Sequence, residues 1–356
     1  MAKITLAVKY RPKTFDDVVE QEATKTILEE QIRTETFKHA YLFCGPAGCG
    51  KTTAARIFAS DLNKGKGNPM EVDAASNNGV DNVRDIIDDA RRKPLDAPYK
   101  VYIIDECHML SNGAWNALLK LLEEPPVCTI FIMCTTDPQK IPATIISRVQ
   151  RYDFSKISLR KIVERLKYIC QAENDSIQEY WAGKAEESGQ QLIVYEPEAI
   201  EYIGKLAEGG MRDAITMLDK CLSLSKQITV ESVVKTLGIV EYTTHFNLLF
   251  SLAVGDAKAV VTTLEEVFNS GKDIKQFIKQ FHYFILDVCK FKLFNKFEFI
   301  SIPELEEYRI KMEDEDYDTC LKILEWSRQL NADVKWESNA KAMIEASAIL
   351  FTLGER

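Results

Sequence analysis

The string Gly45-Pro46-Ala47-Gly48-Cys49-Gly50-Lys51-Thr52 constrains this chain more than any other. It fits G-x-x-x-x-G-K-[ST] and stands between an apolar run, Ala40-Tyr41-Leu42-Phe43-Cys44, and a helical pattern. Glycines at these places let a tight turn aim successive backbone N–H groups at one point. The helix N-terminus that follows adds its partial positive charge. Such a cradle holds phosphates. Lys51 is placed to neutralise the terminal phosphate oxygens, and the Thr52 hydroxyl to hold Mg²⁺. The rest of the loop, from Gly45 to Gly50, and Thr53 would line the bound phosphates. A loop of this kind needs a strand before it and a helix after it, so the fold begins here.

Other apolar runs repeat the strand-then-helix order. Met70-Glu71-Val72-Asp73, Val101-Tyr102-Ile103-Ile104-Asp105 and Thr129-Ile130-Phe131-Ile132-Met133-Cys134 read as strands, as does Val149-Gln150-Arg151-Tyr152-Asp153-Phe154. Continuous apolar runs belong to parallel sheets covered on both faces. Alternation with helices predicts βαβ units. After about Ser155 the strand signals fade. Helical periodicity covers Leu159 to Cys170, Glu198 to Glu208 and Met211 to Leu224, whereas Asn174 to Leu192 is polar and reads as an insertion or a loose helix pair. From Tyr242 to Gly354 nearly everything is amphipathic helix. The expected fold class is α/β, with a P-loop sheet domain over 1–155, a small helical domain over 156–241 and an all-helical domain over 242–356.

Composition narrows the function classes. Lys and Arg number 45 against 54 Asp and Glu, a net charge of −9. Bulk attraction to nucleic acid is therefore excluded, and any DNA contact needs a local basic face. No run approaches the roughly 18 apolar residues of a membrane span. The start, MAKITLAVKYRPKTF, lacks the apolar centre of a secretory signal. A cytoplasmic protein with no membrane partner is expected. Its nine cysteines form no CxxC pair, which points to buried small side chains and away from a zinc ribbon.

Asp105-Glu106 closes the VYIID run. Asp105 suits the Mg²⁺ shell, and Glu106 suits a base that orients and deprotonates attacking water. Alone, such a pair is often a solvated strand end; downstream of a phosphate loop, on a neighbouring strand, the chemical reading is the better one. His108 is open between a contact to this pair and a packed or surface imidazole.

A resemblance then becomes specific. Lys9-Tyr10-Arg11-Pro12-Lys13-Thr14-Phe15 stands near the start, and Asp73-Ala74-Ala75-Ser76-Asn77-Asn78-Gly79-Val80 follows the loop. Asp105-Glu106-Cys107-His108-Met109-Leu110-Ser111 continues as NGAWNALLKLLEEPP. Thr135-Thr136-Asp137-Pro138-Gln139-Lys140-Ile141-Pro142 and Ser147-Arg148-Val149-Gln150 come later. Over roughly residues 5–240 the chain resembles the ATPase core of bacterial DNA polymerase III clamp-loader gamma/tau subunits, which are AAA+ ATPases.

The resemblance implies roles. Arg148 would be an arginine finger acting in trans on ATP held by a neighbouring subunit, its guanidinium stabilising charge on the transferring phosphoryl. Thr136 matches sensor 1. Arg212, in Gly209-Gly210-Met211-Arg212-Asp213-Ala214, matches sensor 2, carried on a helical lid. Tyr10, Arg11, Val18 and Val19 match the segment around the adenine. Arg84, Lys120 and Lys140 align with residues that touch template DNA, where phosphate contacts position without reading sequence. Expected partners are other clamp-loader subunits in a pentameric assembly, the sliding clamp and primer–template DNA, in a bacterial or phage-infected cell. ATP and Mg²⁺ are the expected cofactors.

The chain also departs from the family. The usual Cys-rich module is replaced by Leu62-Asn63-Lys64-Gly65-Lys66-Gly67-Asn68-Pro69, so no zinc is expected. Glu20 stands where Gly is usual, which leaves the turn there open, and Val149 stands where Cys is usual. The sequence closes near the end of the third domain, so the long tau extension and its contacts are not expected. By resemblance the all-helical part is a collar. Phe277, Phe281, Phe284 and Val288 recur at helical spacing, as do Ile344, Ala348 and Phe351. That spacing suits core or subunit contact, and Trp326 and Trp336 suit packing or anchoring equally. Two other readings compete: a different AAA+ DNA-remodelling enzyme, and a nucleotide-binding structural arm of the loader.

Overall fold

The computed structural model describes residues 4–94, 96–181, 192–237, 242–294, 316–335, 337 and 339–354. The run before the phosphate loop is strand β1, Ala40–Cys44, buried throughout. β2 is Met70–Asp73, β3 Lys100–Asp105, β4 Thr129–Thr135 and β5 Gln150–Asp153. They form one five-stranded sheet in the order β2-β3-β4-β1-β5, every pairing parallel. Each expected strand is present, its ends displaced by no more than a residue.

Side-chain alternation along these strands builds a core on each face. Leu42, Tyr102, Ile104, Phe131 and Met133 point to one face. There they meet Val83 and Ile86 of α4 (Val80–Ala90) and Trp115 and Leu118 of α5 (Asn112–Glu123). Tyr41, Phe43, Val101, Ile103 and Ile132 point to the other. Their partners are Leu28 of α2 (Glu22–Arg33) and Ala55 and Phe58 of α3 (Lys51–Leu62). Before these helices comes a single turn, α1 (Leu6–Lys9). The starts of α4 and α5 meet closely. A Cβ on Gly113 would lie 2.6 Å from Val80 Cγ2, so a larger residue there would have to push that side chain aside.

Parallel strands bring their carboxyl ends to one edge, where ligands bind in open α/β sheets. Here that edge carries Cys44 and the loop after it, Asp105 with Glu106, and Thr135 with Thr136.

A short α6 (Ala143–Ile146) precedes β5, and after it come α7 (Leu159–Trp181), α8 (Pro197–Leu206) and α9 (Met211–Leu224). Helix α7 runs well beyond Cys170. The side chain of Asn174 donates to the carbonyl of Ile193 and accepts from its N–H at 2.9 and 2.7 Å. The first part of the polar stretch 174–192 is thus helix; residues 182–191 lie outside the described residues.

The chain divides into two compact units, Met1–Ile193 with Ile203–Asp219, and Val194–Tyr202 with Lys220–Arg356. This division runs through the expected helical domain 156–241, giving part of it to each unit; residue 241, the second expected boundary, lies outside the described residues. The second unit contains strands the sequence did not signal. β6 (Val194–Tyr195) and β7 (Gln227–Ile228) pair in parallel, and two residues are too few to show periodicity. Its helices are α10 (Val230–Leu237), α11 (Tyr242–Val254), α12 (Ala257–Asn269), α13 (Ile274–Phe294), α14 (Tyr317–Val334) and α15 (Ala340–Thr352). Phe277, Phe281, Phe284, Val288, Ile344 and Ala348 are buried together in one core, with Phe351 and Trp326 packed against it. The Trp326 indole donates to Ser347 Oγ at 2.9 Å. Trp336 lies outside the described residues.

Candidate nucleotide site

The phosphate loop needs backbone angles that side chains resist. Gly48 and Gly50 adopt φ of 70° and 104°, the left-handed region that glycine enters without steric cost. At Gly48 a Cβ would also come within 3.0 Å of Gly210 Cα. The Met211 N–H donates to the Gly48 carbonyl at 3.0 Å, so the start of α9 is seated on the loop. Lys51 is buried, and its ammonium donates to the carbonyls of Gly45 and Pro46 at 2.8 Å each. The Cys49 thiol is packed inside, and burial pushes it up, so it serves as filling and not as a nucleophile.

Beside the loop, the Thr52 hydroxyl donates to Asp105 Oδ2 at 3.0 Å. These are two hard oxygen donors at the phosphate end, a donor set that fits Mg²⁺. Glu106 has φ 46° and its N–H donates to Asp105 Oδ1 at 3.1 Å. Its carboxylate accepts from the Thr136 hydroxyl at 3.1 Å. His108 Nδ1 lies 3.3 Å from the same Oε2 and 3.2 Å from Thr135 Oγ1. The hydrogen bond of Nδ1 is with the Thr135 hydroxyl, and either tautomer of the imidazole can make it. Of the two readings left open for His108, the structure gives the contact to the acidic pair. Cys107 and Cys134 lie inside, beside the pair; burial pushes both thiols well up, and the nearby carboxylates add to it.

These groups open on a cavity of about 410 Å³, within the size range of small-molecule sites. Ala47 through Thr53, Asp105, Glu106 and Arg212 line it, as do Tyr10, Arg11, Val18 and Val19. Ile157 and Ile215 add apolar surface beside the valines. Gly45, Pro46 and Thr136 are not part of this lining, though Thr136 bonds Glu106, which is. The turn at Glu20 is left-handed, φ 59°, at a position where glycine would be unstrained. Its carboxylate accepts from the Ser158 hydroxyl and N–H at 2.5 and 3.1 Å, tying the turn to the start of α7. Gln21 repeats the tie through its amide, to the Ser155 carbonyl and N–H at 2.8 and 3.1 Å.

Arg56 and Arg165 also line the cavity, and the sequence did not single them out. Arg165 sits in a charged helical stretch that reads as a solvated face, and Arg56 is the single charge in the mostly apolar stretch 53–60 of α3. Position relative to the loop, one turn past Thr52, could have flagged Arg56; nothing local flags Arg165.

Arg148 is outside this cavity. Its guanidinium donates to Glu123 Oε1 and the Thr144 carbonyl, both at 2.7 Å. Arg84 pairs with Asp81 and Lys140 with Asp137, each at 2.9 Å and with the cationic side chain more than half exposed. Lys120 is exposed on α5, which packs against the helix of Arg84.

Comparison with known proteins agrees with the strings read above. Residues 70–158 match the family described as DNA polymerase III, delta subunit. Residues 188–227 match the DNA polymerase III clamp loader subunit ATPase lid domain, and 228–317 match domain III of DNA polymerase III subunits gamma and tau. The DNA polymerase III subunit tau of Bacillus subtilis is 36% identical over 364 residues, covering 96% of this chain and 62% of that protein. Its Escherichia coli counterpart is 33% identical over 288 residues, covering 75% and 42%. The chain thus spans less than two thirds of the length of these relatives. Among solved structures, the Thermotoga maritima RuvB Holliday junction branch migration motor aligns with TM-score 0.50 at 20% identity, over 74% of this chain and 86% of that one. At that identity the likeness is one of fold. By its sequence strings, its AAA+ sheet and these matches, the chain belongs to the gamma/tau family of DNA polymerase III clamp-loader subunits.

Proposed function

We propose that this chain is an ATP-hydrolysing motor subunit of a DNA sliding-clamp loader, which couples ATP binding and hydrolysis to opening the clamp and closing it on primed DNA. One observation carries the catalytic part. The Thr52–Asp105 pair and the Glu106–Thr136–His108 cluster meet at the edge of a cavity built on a phosphate loop.

Each residue's part follows from its chemistry. Lys51 and the loop N–H groups bind the phosphates. Thr52 and Asp105 would hold Mg²⁺, which supplies charge neutralisation on the phosphate oxygens. Glu106 takes the proton of the attacking water on its carboxylate, held in place by the Thr136 hydroxyl with His108 beside it. Arg212 adds a cation from the lid, 156–241, to phosphates bound by the same chain. Val18, Val19, Tyr10 and Arg11 take the adenine end. Arg148, bonded on its own chain away from the cavity, is free in role to serve a neighbour's ATP as a trans finger. Such a finger links turnover to assembly geometry. Arg84, Lys120 and Lys140 would meet template phosphates, and the helices of 242–356 would form the collar of a pentameric assembly in the cytoplasm.

Steady-state hydrolysis by the purified chain, with and without its host's other loader subunits, clamp and primer–template DNA, tests this. Stimulation that needs clamp and primed DNA together is expected. Turnover indifferent to the clamp would move the reading to another AAA+ DNA-remodelling ATPase. No turnover in any mixture would leave a nucleotide-binding arm.

A further inference from the structure

Besides the phosphate loop, the cavity is walled by pieces of chain distant in sequence. One is the N-terminal strip, through Ala7, Tyr10, Arg11 and Pro12; another is helix α7, through Arg165. Hydrogen bonds join the two. Arg165 Nη2 donates to the Tyr10 carbonyl at 3.1 Å. About two turns further along α7, Glu173 Oε1 accepts from the Tyr10 hydroxyl at 2.8 Å and from Lys9 Nζ at 2.5 Å. At the head of the strip, the Leu6 N–H donates to the Asp219 carboxylate of α9 at 3.0 Å. Burial and the Glu173 carboxylate push the Tyr10 phenol up, so it remains a donor.

A helix of four residues has no stability of its own. The strip keeps its shape because α7 and α9 hold it at these points. Backbone groups recognise a ligand edge only when fixed to within about half an ångström. We infer that Arg165 and Glu173 are positioning residues for the nucleoside end of the bound nucleotide, fixing the backbone of Tyr10–Pro12 against it. The inference rests on the reading of this cavity as an ATP site. The phosphate end is built separately, from the loop, Lys51 and Asp105, so the two ends are separable in a binding experiment.

The test compares ATP with inorganic tripolyphosphate, each with Mg²⁺, in equilibrium competition for the full chain. Glu173→Leu removes the acceptor of both Tyr10 and Lys9; Arg165→Met keeps the stem and removes the donor. Each should raise the Kd for ATP about tenfold, as expected for loss of a charge-assisted hydrogen bond, while leaving that for tripolyphosphate within about twofold. Glu173→Gln keeps an acceptor for the Tyr10 hydroxyl and should recover ATP affinity to within about threefold. Should Glu173→Leu fail to fold, Arg165→Met carries the same comparison. An unchanged Kd for ATP, or equal weakening of ATP and tripolyphosphate, overturns the inference. Wild-type protein that binds neither ligand would instead sink the nucleotide reading itself.

Discussion

The sheet unit and the helical unit differ in what holds them to their sequences. In the sheet unit, the residues at the strand ends are fixed by chemistry. A carboxylate must sit beside a hydroxyl at Asp105 and Thr52, and only glycine tolerates both the φ and the close approach at Gly48. In the helical unit, what is fixed is apolar volume at a helical period. Phe277, Phe281 and Phe284 fill one core with Ile323 and Ile344, and other apolar side chains of similar size could do so. Function in the first is therefore written residue by residue, and in the second only as a shape.

Substitutions can break this contrast. The largest effect is expected at Glu106. Glu106→Gln preserves shape and the acceptor for Thr136 but removes the base, and turnover should fall by about 10²–10⁴-fold with ATP binding retained. Single-turnover hydrolysis beside equilibrium ATP binding measures both. In the helical unit, Phe281→Ala empties a fully buried site next to Phe277, Phe284 and Trp326. A loss of about 3–5 kcal/mol in that unit's stability is expected, read by denaturant unfolding, with the ATPase chemistry untouched.

The smallest effect is a pH dependence. His282 bonds Ser327 Oγ at 3.0 Å, and burial, with Arg328 nearby, holds its imidazole below the usual value. Because the folded state resists protonation, this contribution is present above about pH 6.5 and is lost as pH falls through the lowered folded value. Thermal melts of His282→Gln between neutral and mildly acid pH should be flatter than those of the wild type. Parallel curves would remove the assignment.

The same contrast explains what could be read in advance. The five strands announce themselves because burial on both faces demands continuous apolar runs, and the loop because its glycines and lysine sit at fixed spacing. The β6–β7 pair is too short for any pattern, and α7 passes through a polar stretch because Asn174 is bonded to Ile193, a tertiary fact. His108 could not be settled from sequence since its role depends on where Glu106 and Thr135 stand in space. Arg165 and Glu173 are hidden for the same reason: on α7 they are spaced like surface charges, and only the fold brings Tyr10 to them. At Glu20, the left-handed turn is held without glycine, with Ser158 engaging the carboxylate.

The central claim is an ATP site completed by a neighbour, and Arg148→Ala addresses it most directly. In the reconstituted loader with clamp and primed DNA, the account predicts ATP affinity nearly unchanged and assembly-dependent turnover lowered by about 10³-fold or more. Turnover equal to wild type would contradict it, and so would a loss of ATP affinity in the isolated chain.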